Sequence, residues 1–212
     1  MKPCHAAARA LVACLVPSVL FAGTKPNLST YSDPAYGLSF QYPSDVTAST
    51  GPTDLDFGYL GPVQNGLQKG RMIAWIRPAT DVPMFLTASI DTTSSEADCV
   101  KYAPAHHDYA VPRLDERPAM RLGENVFIHA VDGNAGLCHQ AGMDFYRVFK
   151  NHACYEFEIG ETTHCEMTKD EIKAHSAVMK ELMQILRTVT ISPAKIAPLK
   201  PESPDKSGDV SH

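Results

Sequence analysis

Residues 145–159 read FYRVFKNHACYEFEI, and their pattern decides the fold. Two apolar-rich runs flank Asn151-His152. A two-residue hairpin turn needs positive φ at both central residues, and asparagine tolerates that at the first position. Closing the turn there predicts an antiparallel hairpin. Val148 then faces Tyr155 and Tyr146 faces Phe157, apolar pairs on one side. On the other side Arg147 faces Glu156, a pair of opposite charges. A slip of one residue would send every side chain to the wrong face. Both faces make sense in one register only.

Working outward, Tyr36–Tyr42 alternate in period two and stop at Pro43, a strand pattern. Arg71–Arg77 and Leu86–Asp91 predict two further strands. The Gly- and Pro-rich residues 51–70, between the first two strands, read as a long loop. Ser94–Tyr102 predicts a short helix, with Ser94 or Ser95 as cap and Glu96 and Asp98 at its positive end. Residues 104–118 contain three prolines and read as a loop. Short strands are expected at Ala119–Leu122 and Val126–Val131, with a turn at Asp132-Gly133. Thr168-Lys-Asp-Glu171 is a capping box. Ile172, Val178, Met179, Leu182, Met183 and Leu186 then recur at helical spacing to about Arg187. Thr188–Ile191 predicts a last strand. This strand-rich order with tight hairpins and one long late helix indicates α+β, a curved antiparallel sheet with packed helices.

The stretch YSDPAYGLSFQYPS, residues 31–44, resembles the opening of PsbP/Mog1-like domains found in many exported bacterial proteins. The late helix ahead of a short last strand fits the same pattern. The resemblance covers residues 30–45 and the element order. It implies an α/β/α sandwich around an antiparallel sheet. It carries no catalytic residue, and the fold's members act mostly as binding or assembly modules.

The chain ends set the compartment. Lys2 and Arg9 precede an apolar run, Ala10 to Ala22, broken only by Pro17 and Ser18. That run is too short for a membrane span of roughly 20 residues and suits a secretory signal ending at Ala22. A lipobox reading of Leu11–Cys14 fails on the four apolar residues between Arg9 and Cys14. The expected layout is a signal at 1–22, a leader at 23–33, one domain at 34–192 and a disordered Pro-rich tail at 193–212. The destination is periplasmic or secreted. Without residues 1–22 the chain keeps 17 basic and 24 acidic residues, net −7. That balance disfavours nucleic acid and anionic membranes, because phosphate affinity rests on Lys and Arg. No membrane span is expected after signal removal, and the partner is an unknown protein or small molecule.

Four cysteines then remain: Cys99, Cys138, Cys154 and Cys165. An even number in an exported chain points to two disulfides. Extending the hairpin ladder places Cys138 opposite Cys165, while Cys154 points to the other face and is left for Cys99. The expected pairing is Cys138–Cys165 with Cys99–Cys154. The alternative is the local pair Cys154–Cys165 with Cys99–Cys138, which needs a tight turn at Gly160. A metal reading uses Cys138, His139, His164 and Cys165, but the spacing is not that of a zinc finger. Cys165, just ahead of a helix, would have a lowered thiol pKa if free. His106-His107 read as exposed loop residues. His129 and His175 read as core-edge histidines. Asp54 and Asp56 lack EF-hand spacing. Glu156 and Glu158 share a strand face, where acid–base work competes with simple pairing of Glu156 to Arg147. No nucleophile elbow, zinc-protease or phosphate-loop motif occurs. No catalytic residue and no cofactor are expected. The sequence therefore predicts an exported, disulfide-stabilised, non-catalytic binding or assembly module. Its alternative is a periplasmic metal-binding protein.

Overall fold

The computed structural model describes residues 27–50, 71–101, 115–136 and 139–197. The expected signal at 1–22, the expected loop at 51–70 with Asp54 and Asp56, His106-His107, Cys138 and the part of the expected tail beyond residue 197 lie outside the described residues. The elements run β1 (Leu28–Asp33), β2 (Leu38–Pro43), β3 (Thr47–Thr50), β4 (Arg71–Arg77), β5 (Met84–Asp91) and α1 (Glu96–Cys99). They continue as β6 (Asp115–Leu122), β7 (Asn125–Gly136), β8 (His139–Lys150), β9 (Ala153–His164), α2 (Lys169–Arg187) and β10 (Thr190–Ile191). Among the described residues every strand pairing is antiparallel, in two sheets ordered β1-β2-β10 and β3-β4-β5-β9-β8-β7-β6. The architecture is α+β.

The β8–β9 hairpin adopts the register that its two faces require. Val148 lies opposite Tyr155, Tyr146 opposite Phe157 and Arg147 opposite Glu156. Asn151 and His152 take φ of 53° and 58°. The Asn151 side chain is anchored there, donating from Nδ2 to the Tyr155 hydroxyl at 3.1 Å and to the Ser192 carbonyl at 2.8 Å. His152 pays a steric cost for its left-handed backbone that glycine would not. His152→Gly is therefore expected to raise unfolding free energy by about 0.5–1 kcal/mol, read as a higher urea midpoint. An unchanged or lower midpoint would show that the imidazole contributes more than its backbone strain.

One face of the large sheet carries Ile90, Tyr155, Phe157 and Tyr146, and α2 covers it with Val178, Leu182, Ile185 and Leu186. Thr168 accepts from the Glu171 N–H at 3.3 Å and Glu171 accepts from the Thr168 N–H at 2.7 Å, the reciprocal box that starts the helix. The small sheet joins the same core through Tyr31, Leu38 and Phe40. The Tyr31 hydroxyl donates to the Ile73 carbonyl at 3.1 Å, and the Tyr155 hydroxyl donates to the Tyr36 carbonyl at 2.6 Å.

Five local expectations change. Asp132-Gly133 is not a turn: these residues pair with Met143 and Gly142 in the β7–β8 ladder. A partner strand twelve residues long satisfies their backbone better than a local turn. Residues 28–33, read as leader, form β1 because β2 offers a complete ladder. Tyr36 and Gly37 belong to the β1–β2 turn, where Gly37 has φ +64° and a Cβ would sit 2.4 Å from the Ser192 carbonyl oxygen. β6 begins at Asp115, inside the predicted loop, and absorbs Pro118 at a bulge between Arg117 and Met120. Ile172 is exposed on α2, and Ile185, three residues from Leu182, completes the buried stripe in its place.

Candidate functional site

The sheet face turned away from α2 carries Cys154, Glu156 and Glu158. At its upper end Asp91, Cys154 and Phe149 lie side by side on β5, β9 and β8. Cys154 is joined to Cys99, at the end of α1, in a disulfide with a Cα–Cα distance of 5.4 Å. Both cysteines are fully buried. The local sequence delivers Cys99 to that place. The Asp91 carboxylate accepts from the Thr93 N–H and hydroxyl, both at 2.7 Å, and from the Ser94 hydroxyl. Ser95 then caps α1 by accepting from the Asp98 N–H at 3.1 Å. Burial alone would raise the Asp91 pKa, but the bonds from Ser94 and Thr93 outweigh it and hold it below the usual range. Sequence reading missed Asp91 as an organiser. The Asp-x-Thr-Ser spacing is the signal that marks it.

Two residues along β9, Glu156 is buried and paired with Arg147. The Arg147 guanidinium also donates from Nη1 to the Lys101 carbonyl at 3.0 Å, tying down the segment after α1. Glu158 follows on the same face, fully buried beside Thr87. Desolvation, reinforced by the negative charge of Glu156, raises its pKa well above the usual range, against the opposing effects of the Thr87 bond and Arg147. The folded protein therefore holds the Glu158 proton at pH values where the unfolded chain has lost it. Stability from this group is full below about pH 4.5 and is lost as pH rises toward the folded pKa, at a slope of up to about 1.4 kcal/mol per pH unit. Glu158→Gln keeps the shape without the proton equilibrium. It is expected to be more stable than the parent at pH 7–8, with the gap closing toward pH 4, in urea titrations at several pH values. A gap independent of pH would contradict this reading.

The histidines have separate partners. His129 Nε2 lies 2.7 Å from Asp144 Oδ1, with its ring stacked on Tyr146 at 4.7 Å. His175 Nδ1 lies 3.8 Å from Glu161 Oε2, and His164 Nε2 lies 3.8 Å from Glu171 Oε1. The backbones of His139 and His164 are opposite each other in the β8–β9 ladder. Cys165 is disulfide-bonded, so it has no free thiolate to offer a metal. Among the described residues no three His, Cys, Asp or Glu side chains are placed to share a metal ion. No helix among them is long and apolar enough to cross a membrane.

A cleft of about 400 Å³ opens elsewhere, over the solvent face of the small sheet. Thr30, Ser39 and Gln41 form its floor, and Glu124, Arg187 and Thr188 its wall. Gly123, at φ +57°, lets the β6–β7 turn approach the helix end, since a Cβ there would lie 2.2 Å from the Arg187 carbonyl oxygen. Thr188 Oγ1 accepts from the Gln41 N–H at 2.8 Å, closing the β2 edge where β10 has not yet begun.

No protein family matches the chain in sequence, and no curated protein does. Similarity appears among solved structures. One is a protein of Bacteroides thetaiotaomicron, 11% identical over 77% of this chain and 48% of its own, with a TM-score of 0.41. This chain thus spans about half that protein's length. A second is LpqN of Mycobacterium tuberculosis, described as involved in cell envelope biogenesis, 14% identical over 78% of this chain and 92% of its own, TM-score 0.42. The third is a cyanobacterial PsbP. It comes from Synechocystis and is 9% identical over 81% of this chain and 96% of its own, TM-score 0.39.

Proposed function

We propose that the chain is an exported, disulfide-stabilised, non-catalytic binding or assembly module. The observation that carries this reading is the buried Cys99–Cys154 disulfide, since such bonds persist in oxidising compartments. Residues 1–22 act as the export signal, one domain extends from β1 through β10, and the chain beyond it is a tail. Cys165 takes Cys138 as its partner. The backbone pairing of His139 with His164 supports this, because one further step along the ladder brings 138 opposite 165. The non-catalytic character is supported by the engagement of the candidate groups in structural contacts. Glu156 pairs with Arg147, His129 with Asp144, and Cys154 with Cys99.

The test is thiol titration of the processed protein, denatured without reductant, together with elemental analysis and N-terminal sequencing. The expected result is no free thiol, no bound metal and a first residue at Gly23. Four thiols with stoichiometric zinc would overturn the proposal. Peptide mapping that joins Cys165 to any cysteine other than Cys138 would overturn the second pairing alone.

A further inference from the structure

The outer strands β6, β3 and β1 are not equally defended. β6 carries Pro118, a bulge between Arg117 and Met120, and the charged residues Arg117 and Arg121. Those are devices that stop a sheet edge from recruiting another strand. β3 is only four residues long. β1, sequence LSTYSD, has six residues with no proline, no lysine and no irregularity in its ladder with β2. Among the described residues its outer edge has no strand neighbour.

The phase of that edge is fixed by one hydrogen bond. The Ser44 N–H donates to the Asn27 carbonyl at 2.9 Å, one step beyond the Leu28–Pro43 pair. In an antiparallel ladder, residues alternate between exchanging bonds with the partner and pointing both groups away from it. Ser29, Tyr31 and Asp33 therefore bond to β2, and Leu28, Thr30 and Ser32 aim their N–H and C=O groups outward. These three residues are also exposed, Leu28 at 49%. Their side chains stand on the face that holds the cleft, whose floor begins at Thr30.

We infer that β1 is a docking edge for an extended segment of another polypeptide, which adds as a strand beside Leu28, Thr30 and Ser32. Main-chain bonds supply the affinity in this mode, and alternate side chains supply selectivity. Every second side chain of the added strand lies on the cleft side, next to Thr30, Ser39 and Gln41. That floor is uncharged, and the wall offers one anion, Glu124, and one cation, Arg187. A second copy of this chain is the poorer occupant, because without residues 1–22 its net charge of −7 repels itself. The inference rests on the binding-module reading and names its partner class.

The experiment selects phage-displayed random heptapeptides on the wild-type protein. The selected peptides are then measured on Thr30→Pro, which removes one outward N–H and none of the bonds to β2, and on Thr30→Val, which keeps it. The expected result is at least tenfold weaker binding to T30P and retained binding to T30V. Hydrogen–deuterium exchange on the wild type should show bound peptide protecting the amides of Leu28, Thr30 and Ser32, a readout that needs no variant to fold. Selected peptides that bind T30P equally and leave those amides unprotected overturn the β1 edge while the binding-module reading stands. No enriched peptide at all counts against both. Self-association of the wild type that T30P abolishes assigns the edge to a second copy and overturns the inference.

Discussion

Replacing both Cys99 and Cys154 with alanine should lower unfolding free energy by about 4 kcal/mol. The bond closes a loop with a sequence separation of 55 residues. Chain-entropy arguments assign roughly that cost to a loop of such length. Two smaller losses add to it, since both sulfurs are fully buried and Phe149 packs against them. The double variant avoids leaving a lone thiol free to mispair. Urea denaturation without reductant at pH 7 is the measurement. A loss below about 1 kcal/mol would mean that the clustered contacts around Asp91 and Ser95 hold α1 in place by themselves.

The second large effect belongs to Arg147. Removing it leaves the Glu156 carboxylate buried, with Glu158, buried as well, two residues further along the strand. Breaking a buried pair from one side costs about 3–5 kcal/mol, because the attraction that offset the burial of the remaining charge is gone. Arg147→Met is expected to fall in that range at pH 7. The double variant Arg147→Met with Glu156→Gln should regain most of the stability at pH 7. A double variant no better than R147M would show that the guanidinium acts mainly through its bond to the Lys101 carbonyl.

Much of this architecture was legible from residues 145–159. A turn at Asn151-His152 with alternating faces leaves a single sensible register, and the Arg147–Glu156 pair follows from it. The capping box at Thr168 was equally readable, because its two hydrogen bonds are local. β1 was not legible: Leu28–Asp33 is mostly polar and becomes a strand only because β2 supplies the ladder. Asp132-Gly133 misled for the converse reason, since a strong local turn preference yields to a long partner strand. The cleft was invisible in sequence. Its lining comes from β1, β2, the β6–β7 turn and the end of α2, segments that only the tertiary structure brings together. Asp91 was readable in principle but lay at the end of an apolar strand, where the pattern draws attention to the core.

The arrangement β1-β2-β10 has a consequence for the order of folding. β2 sits between the first and last strands of the described chain, and Gln41 is bonded to Thr188, 147 residues later. Pairing over so long a separation carries a large loop-closure cost and comes late. Until residue 191 has emerged, neither the second neighbour of β2 nor the α2 stripe is available to cover Leu38 and Phe40. A chain delivered end-first through a narrow pore cannot complete this small sheet in transit. The small sheet is complete only when β10 arrives beside β2.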